Sequence, residues 1–373
     1  MKNKKINGEL KELMDEKNNT CISIIIPLHE IPSDKKIDSI IINHAIEKLN
    51  SLLISKYKPL AAGFFVKKIK ELRGKINLVT GMNGIGIFIS ANVLKLIQFP
   101  FPVTEKIIAG DSFEIRDVLY KELYLSDYFV LSLSMKKNHL LKGRGNVLTE
   151  VKDKIFPATY KDTYEYSKPS RGTSYGNSLK EFEKDRSIIK EIRLESFYHI
   201  LDQRLNNYLD TNTPLVIAGV KKDLGYFEKN TTHKNNIVGK VLGSYDDYNS
   251  KELQSRAWEV IKKHLAQEQK KMILSIKELI GNKIVAMGIK EVWRDAKSGK
   301  ANTLVVEKDL EIPAFISTNE SQLFLKPPQS KHKIITDAVD DVIETVIEKK
   351  GKVVFVDNQE LKDFEGIALI NRY

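Results

Sequence analysis

The chain has 373 residues, 42% of them hydrophobic and 29% charged, the balance of a globular protein and far from the apolar-poor profile of a disordered one. One hydrophobic core stops growing near ~250 residues, so two or three domains are expected. Sixty Lys and Arg against 49 Asp and Glu leave a net charge of +11, a field that draws nucleic acid or an anionic surface. Cys21 is the single cysteine, which excludes an internal disulfide and a thiolate metal cluster.

The first segment, 1–126, opens on a basic, polar stretch from Met1 to Asn19 with no apolar signal region. No later run approaches the ~20 apolar residues of a membrane span, so a cytoplasmic protein without a membrane partner is expected. Cys21 to Leu28 then reads as an apolar strand and Ile37 to Leu53 as a helix, the opening of an α/β domain. Ile76 to Thr80 and Ile85 to Ser90 flank Gly81-Met82-Asn83-Gly84, whose Asn-Gly pair favours a hairpin. The glycines do not fit a dinucleotide loop, because their spacing differs from G-x-G-x-x-G and an apolar run follows where a helix N-terminus is required.

The second segment, 127–246, begins with three short strands, Tyr128 to Ser134, Asn138 to Lys142 and Asn146 to Lys152. Between Tyr160 and Lys180 lie Tyr164, Tyr166, Lys168, Arg171, Gly172, Tyr175 and Gly176, with no acidic residue after Glu165. Tyr rings offer faces to unstacked bases, Lys and Arg neutralise phosphates, and Gly lets backbone approach closely. RNA rather than DNA is the expected partner; a solvated loop is the plain alternative. A helix from about Leu179 to Leu209 follows, with Ile189, Ile192, Leu201, Leu205 and Tyr208 as its inward positions. Leu215 to Val220 reads as a strand buried on both faces, so Lys221 and Lys222 emerge at its carboxyl end, placed to meet RNA backbone or simply to face water. Ile237 to Leu242 is the last strand of this segment.

Tyr245 to Ser250 reads as a boundary, and Asn249 with Glu252 as a capping box for a helix reaching Ile280. Helices at Ile284 to Lys297 and Thr336 to Lys349 alternate with strands at Thr303 to Val306, Val353 to Val356 and Ile367 to Ile370, giving an α/β sandwich over 247–373. Asp340, Asp341, Glu344 and Glu348 put an acidic face on one helix, which suits a protein partner or solvent.

Local signatures spread along the chain resemble the bacterial archaeo-eukaryotic release factor-like family, relatives of the archaeo-eukaryotic release factor and Pelota. They include Ile24-Ile25-Ile26-Pro27-Leu28-His29, Gly86-Ile87-Phe88-Ile89-Ser90, Phe99-Pro100-Phe101-Pro102-Val103, Gly110-Asp111-Ser112-Phe113, Phe129-Val130-Leu131-Ser132-Leu133-Ser134 and the closing Gly366-Ile367-Ala368-Leu369-Ile370-Asn371-Arg372-Tyr373. The resemblance implies three consecutive α/β domains, the middle one ribonuclease H-like and the last similar to kink-turn-binding ribosomal proteins. It implies a tRNA-shaped factor for the ribosomal A site that meets rRNA, the tRNA acceptor end and a translational GTPase. The family's catalytic Gly-Gly-Gln tip and Asn-Ile-Lys-Ser tetrapeptide are both missing from this chain. The expected role is therefore ribosome rescue or hibernation without peptidyl-tRNA hydrolysis, with no catalytic residue, cofactor or metal. An RNA or peptidyl-tRNA hydrolase acting through the loop at 160–180 is the alternative.

A two-metal nuclease needs a carboxylate on the first middle-domain strand, where Ser132 and Ser134 stand instead; Asp127, Asp153 and Asp162 read as solvated. The seven histidines show no zinc-site spacing. His29, after a strand and a proline, reads as a turn histidine or an RNA contact, and Cys21 as a small buried hydrophobe.

Overall fold

The computed structural model describes residues 8–17, 20–29, 35–56, 59–73, 82–134, 137–159, 176–245, 251–282 and 284–373. The chain divides into two compact units, Leu125–Glu268 on one side and Lys2–Tyr124 with Gln269–Tyr373 on the other. Where domain boundaries are expected at 126/127 and 246/247, the two units divide between Tyr124 and Leu125 and between Glu268 and Gln269. Among the described residues no helix is long and apolar enough to cross a membrane.

The amino-terminal part carries α1 (Gly8–Asp15), β1 (Cys21–Pro27), α2 (Lys35–Lys56), α3 (Pro59–Arg73), β2 (Gly84–Ile89), β3 (Leu94–Phe99), β4 (Lys106–Gly110) and α4 (Arg116–Tyr124). Its four strands pair antiparallel in the order β3-β2-β1-β4. Strand β1 is apolar except for the buried Ser23 because both faces are covered: Ile22, Ile24 and Ile26 pack with Ile42, Leu49 and Leu53 of α2 and Phe65 and Ile69 of α3. Cys21 and Ile25 point the other way, into a core shared with Phe88, Phe99 and Phe113. Strand β2 has β1 on one side and β3 on the other, which fills both its edges; the hairpin partner expected at Ile76 to Thr80 lies outside the described residues.

The Leu125–Glu268 unit contains β5 (Tyr128–Leu133), β6 (Lys137–Arg144), β7 (Val147–Glu150), β8 (Ala158–Thr159), α5 (Gly176–Leu205), β9 (Leu215–Gly219), α6 (Lys221–Asn230), β10 (Ile237–Leu242) and the first part of α7 (Lys251–Leu279). The sheet runs β10-β9-β5-β6-β7, with β8 alongside β6. Strands β10, β9 and β5 are parallel and β5, β6 and β7 antiparallel. In order of appearance this is 5-4-1-2-3, the ribonuclease H-like arrangement that the resemblance implied. Phe129, Leu131 and Leu133 of β5 face Leu194, Tyr198, Leu201 and Leu205 of α5 and Leu224 and Phe227 of α6. On the other face Tyr128 stacks on Trp258 of α7, ring centroids 6.2 Å apart. Gly143 lies under Tyr128, where an added Cβ would come within 2.2 Å of the ring.

The carboxy-terminal part continues with β11 (Val285–Met287), α8 (Gly288–Lys297), β12 (Ala301–Glu307), β13 (Ala314–Ser317), β14 (Leu323–Phe324), β15 (His332–Ile335), α9 (Ala338–Glu348), β16 (Lys352–Val356) and β17 (Ile367–Asn371). Where one helix was expected from Ile284, a short strand precedes α8 and the chain turns at Gly288 with φ +69, a conformation that favours glycine. The sheet β11-β17-β12-β16 joins antiparallel and parallel pairs, and β14-β13-β15 forms a second sheet. Trp293, Leu304, Val342 and Phe355 share one core with Phe88, Phe99 and Phe113 of the amino-terminal part, so these two parts are a single unit. The fold class is thus mixed α/β throughout.

The acidic helix face departs from expectation. Asp340 and Glu344 are buried rather than presented to a partner: Asp340 accepts the backbone N–H groups of Ile115 and Arg116 at 3.2 and 2.9 Å. Glu344 pairs with Lys17 at 2.9 Å.

Candidate nucleic-acid interface

The three parallel strands of the middle unit end together. Leu133 of β5 registers with Gly219 of β9, and Gly219 with Leu242 of β10. An added Cβ on Gly219 would approach the Leu133 carbonyl oxygen to 2.9 Å, so glycine lets the strands close up where the chain turns. Val220 follows and α6 starts at once with Lys221 and Lys222.

The first turn of α6 is oriented by what it buries. Asp223, Leu224 and Phe227 point inward, and the Asp223 carboxylate lies near the buried Tyr198, whose hydroxyl pKa is pushed up by burial and then by that negative charge. Lys221 and Lys222 are left exposed. Among the described residues neither has an ion-pair partner, whereas Lys229 pairs with Glu195 at 3.0 Å and Lys240 with Glu228 at 2.6 Å. Lys222 Nζ stands 5.9 Å from the Tyr226 ring centroid. Val220 supplies no side-chain cap, so two cations sit beside unsatisfied N–H groups at the positive end of the helix dipole, an arrangement that an anion relieves.

The expected tyrosine-rich loop leaves from the same edge of the sheet. Strand β8 runs antiparallel to the start of β6, with Thr159 opposite Lys137. Three strand spacings separate Thr159 from Gly219, roughly 14 Å. Tyr164, Tyr166, Lys168, Arg171, Gly172 and Tyr175 lie outside the described residues; Gly176 is the first residue of α5.

Helix α5 leads into β9 from the opposite edge, so its amino-terminal end is directed toward the edge that holds Lys221. It has 30 residues, about 45 Å of helix. Among its described side chains the first buried one is Leu194, 18 residues and ~27 Å from its start. Ile192, expected inside, is 56% exposed, and Ile188 is exposed too; Leu201 and Leu205 are fully buried and Tyr208 is half-buried. With 30 residues against five or six in β5 and β9, α5 is longer than the strands it lies beside.

Lys137, not singled out from the sequence, is exposed at the start of β6 on this edge. It borders a pocket of about 430 Å³ with Glu150, Lys152, Asp153, Phe156 and Pro157. Asp153 is engaged rather than simply solvated: it accepts from Tyr208 at 2.6 Å and from the N–H groups of Ile155 and Phe156 at 2.7 and 2.9 Å, and these bonds hold its pKa below the usual carboxylate range.

Among the described residues this edge is cationic, and the polar groups of the neighbouring strands are engaged within the fold. Ser132 is fully buried and donates to the Tyr245 carbonyl at 3.2 Å. His139 meets Glu150 at 2.6 Å inside the sheet, both buried. Among the described residues no group of three or more His, Cys, Asp or Glu is placed to hold a metal ion. Elsewhere, burial pushes the Cys21 thiol up to about 12, the state of an inert packed cysteine. His29 is held by Asp38 at 2.7 Å while its ring stays partly exposed.

Residues 127–300 match the model of the bacterial archaeo-eukaryotic release factor family 3, and the resemblance read from the sequence is borne out there. No curated protein matches. Among solved structures, an archaeal translation termination factor, aRF1, is 13% identical, covering 98% of this chain and 96% of its own, with a TM-score of 0.23. Dom34 of S. cerevisiae, described as a translation termination-like factor in RNA quality control that interacts with Hbs1, is 16% identical over 76% of this chain and 74% of its own, with a TM-score of 0.39. The C-terminal domain of a peptide chain release factor from Methanosarcina mazei is 26% identical over 35% of this chain and 98% of its own, with a TM-score of 0.27.

Proposed function

We propose that the chain is a translation factor that enters the ribosomal A site as a tRNA mimic, in rescue or hibernation, and does not hydrolyse peptidyl-tRNA. The observation that carries this reading is the common edge: Lys221 and Lys222, without an ion pair among the described residues, the exit toward 160–175 at Thr159 and the amino-terminal end of α5 lie at one end of one sheet. A cationic end with an extended projection suits the tRNA acceptor end or nearby rRNA, where phosphate contacts dominate affinity. The absent Gly-Gly-Gln tip supports binding over hydrolysis, since water attack needs donors held at fixed distance from the reacting carbonyl. A translational GTPase is the proposed delivery partner, as Hbs1 is the stated partner of Dom34, and the cytoplasm the proposed location.

The test is co-sedimentation with ribosomes across a salt series, using the wild-type chain and a Lys168→Ser, Arg171→Ser, Tyr175→Ser variant. The expected result is salt-sensitive binding that the triple change weakens while the melting temperature holds. Equal sedimentation of both proteins counts against the loop; release of peptide from peptidyl-tRNA by the wild type counts against a non-hydrolytic role.

A further inference from the structure

The three-stranded sheet β14-β13-β15 is covered on one face only. Ala314, Ile316 and Leu323 point into the core. On the opposite face, by strand alternation, Phe315 lies in register between Phe324 and Ile334, and Ser317 lies opposite His332. The imidazole of His332 meets the Phe315 ring edge to face at 5.3 Å, which confirms that the two share a face. Phe315 and Phe324 are only half-buried and Ile334 is 76% exposed.

Apolar side chains left in water in a row of this kind are available to a partner. Its border identifies the partner. The connection between β14 and β15 carries Lys326 and Lys331, both exposed and without an ion-pair partner among the described residues. The nearby carboxylate, Glu320, is already engaged by Lys297 at 3.5 Å and Lys333 at 3.4 Å. An apolar protein surface would match the rings and leave the lysines unanswered. Single-stranded RNA answers both, because its bases stack on aromatic rings displayed by a sheet while its phosphates meet the cations.

We propose that the outward face of β14-β13-β15, centred on Phe315, Phe324 and His332, is a platform for the unpaired bases of single-stranded RNA. This goes beyond the A-site reading and stands without it.

The experiment is fluorescence anisotropy with labelled oligouridine at low salt, on the full chain with Lys221→Gln and Lys222→Gln already in place, so that the other cationic edge does not report. In that background Phe315→Leu with Phe324→Leu keeps apolar volume and removes the ring faces, and is expected to weaken binding roughly tenfold or more. Ile334→Glu changes a side chain already in water and puts a negative charge on the platform; a loss of similar size is expected. Hydrogen exchange should slow at 314–335 when the oligonucleotide is added to the parent. A parent that binds no oligouridine, or variants that bind as well as the parent, or protection confined to other segments, overturns the proposal. So would association of the exposed face with a protein that abolishes no RNA binding when it forms.

Discussion

Arg116 and Asp337 are 221 residues apart in the chain, yet the Arg116 guanidinium donates to the Asp337 carboxylate with both side chains almost wholly withdrawn from water. The second nitrogen of the fork donates to the Leu310 carbonyl. Asp337 also caps α9, accepting from Val339 at 3.0 Å, and takes the Ile312 N–H at 3.2 Å. Asp340, one turn further along α9, accepts the N–H groups that α4 leaves orphaned at its own start. Two helices from opposite ends of the sequence are thereby joined through each other's termini.

Removing one member of such a buried pair strands the other. Arg116→Ala is expected to cost about 3–5 kcal/mol, since Asp337 would stay buried without its counter-charge. Urea unfolding followed by circular dichroism measures this. A loss under ~1 kcal/mol would mean that the pair contributes as little as an exposed one.

The same cluster sets a pH dependence. Burial pushes Asp340 up to about 7 despite the opposing pull of Arg116, and burial together with Asp340 and Asp337 raises Glu114 against Lys106 and Arg116. The folded chain therefore holds a proton that the unfolded chain has released. The resulting stabilisation is full below the ordinary carboxylate range and is lost as the pH rises through about 7. Asp340→Asn removes the titration and keeps one acceptor oxygen, so it retains only one of the two bonds from Ile115 and Arg116, a loss that does not vary with pH. The variant's melting temperature relative to wild type should improve between pH 4 and 8, by up to ~4 kcal/mol in stability at the upper end. A constant difference across that range would exclude the effect.

Asp202 shows the opposite sign. It is buried in α5 and receives Thr231 Oγ1, the Thr232 N–H and hydroxyl, and His233 Nδ1, the last at 2.8 Å. Burial, its largest single influence, pushes it up, but these bonds together outweigh burial and hold it below the usual range. Its contribution is present above the ordinary carboxylate pKa and is lost as the pH falls below it. Asp202→Ala is expected to destabilise the middle unit by about 2–4 kcal/mol, because four donors from the three residues that turn α6 toward β10 lose their acceptor. Exchange rates of the Thr232 and Asn236 amides provide a local check.

Much of this architecture is readable from pattern, and the failures have physical causes. Cys21 to Leu28 and Leu215 to Val220 stand out as strands because sheets covered on both faces need unbroken apolar runs. Strand β3 interleaves Lys95 and Gln98 with its apolar residues, and β13, β14 and β15 hold only four, two and four residues, too short for a period to register. Ile192 misleads because a helix that outruns its sheet has no core to meet. The acidic face of α9 misleads for another reason: the cation that accounts for Asp337 and Asp340 is Arg116, far away in sequence. At the site, Lys221 and Lys222 are legible because a fully buried strand must release its next residues to solvent, while Lys137 depends on strand pairing that no local pattern announces.

Lys221 and Lys222 test whether that edge meets nucleic acid at all. Each phosphate neutralised by a lysine releases condensed counterion, so the slope of log affinity against log salt counts contacts, at ~0.7–0.9 for each. Lys221→Gln with Lys222→Gln should make the slope for ribosome binding shallower by roughly 1.5. Both side chains already face solvent and hold no ion pair among the described residues, so the melting temperature should change little. Removing two positive charges beside the amino-terminal end of α6 should even favour the free helix slightly, by ~0.3–1 kcal/mol. A variant that is marginally more stable yet binds with a shallower salt slope would show that the lysines are kept there for an anion outside the chain. An unchanged slope would leave them as ordinary solvated cations.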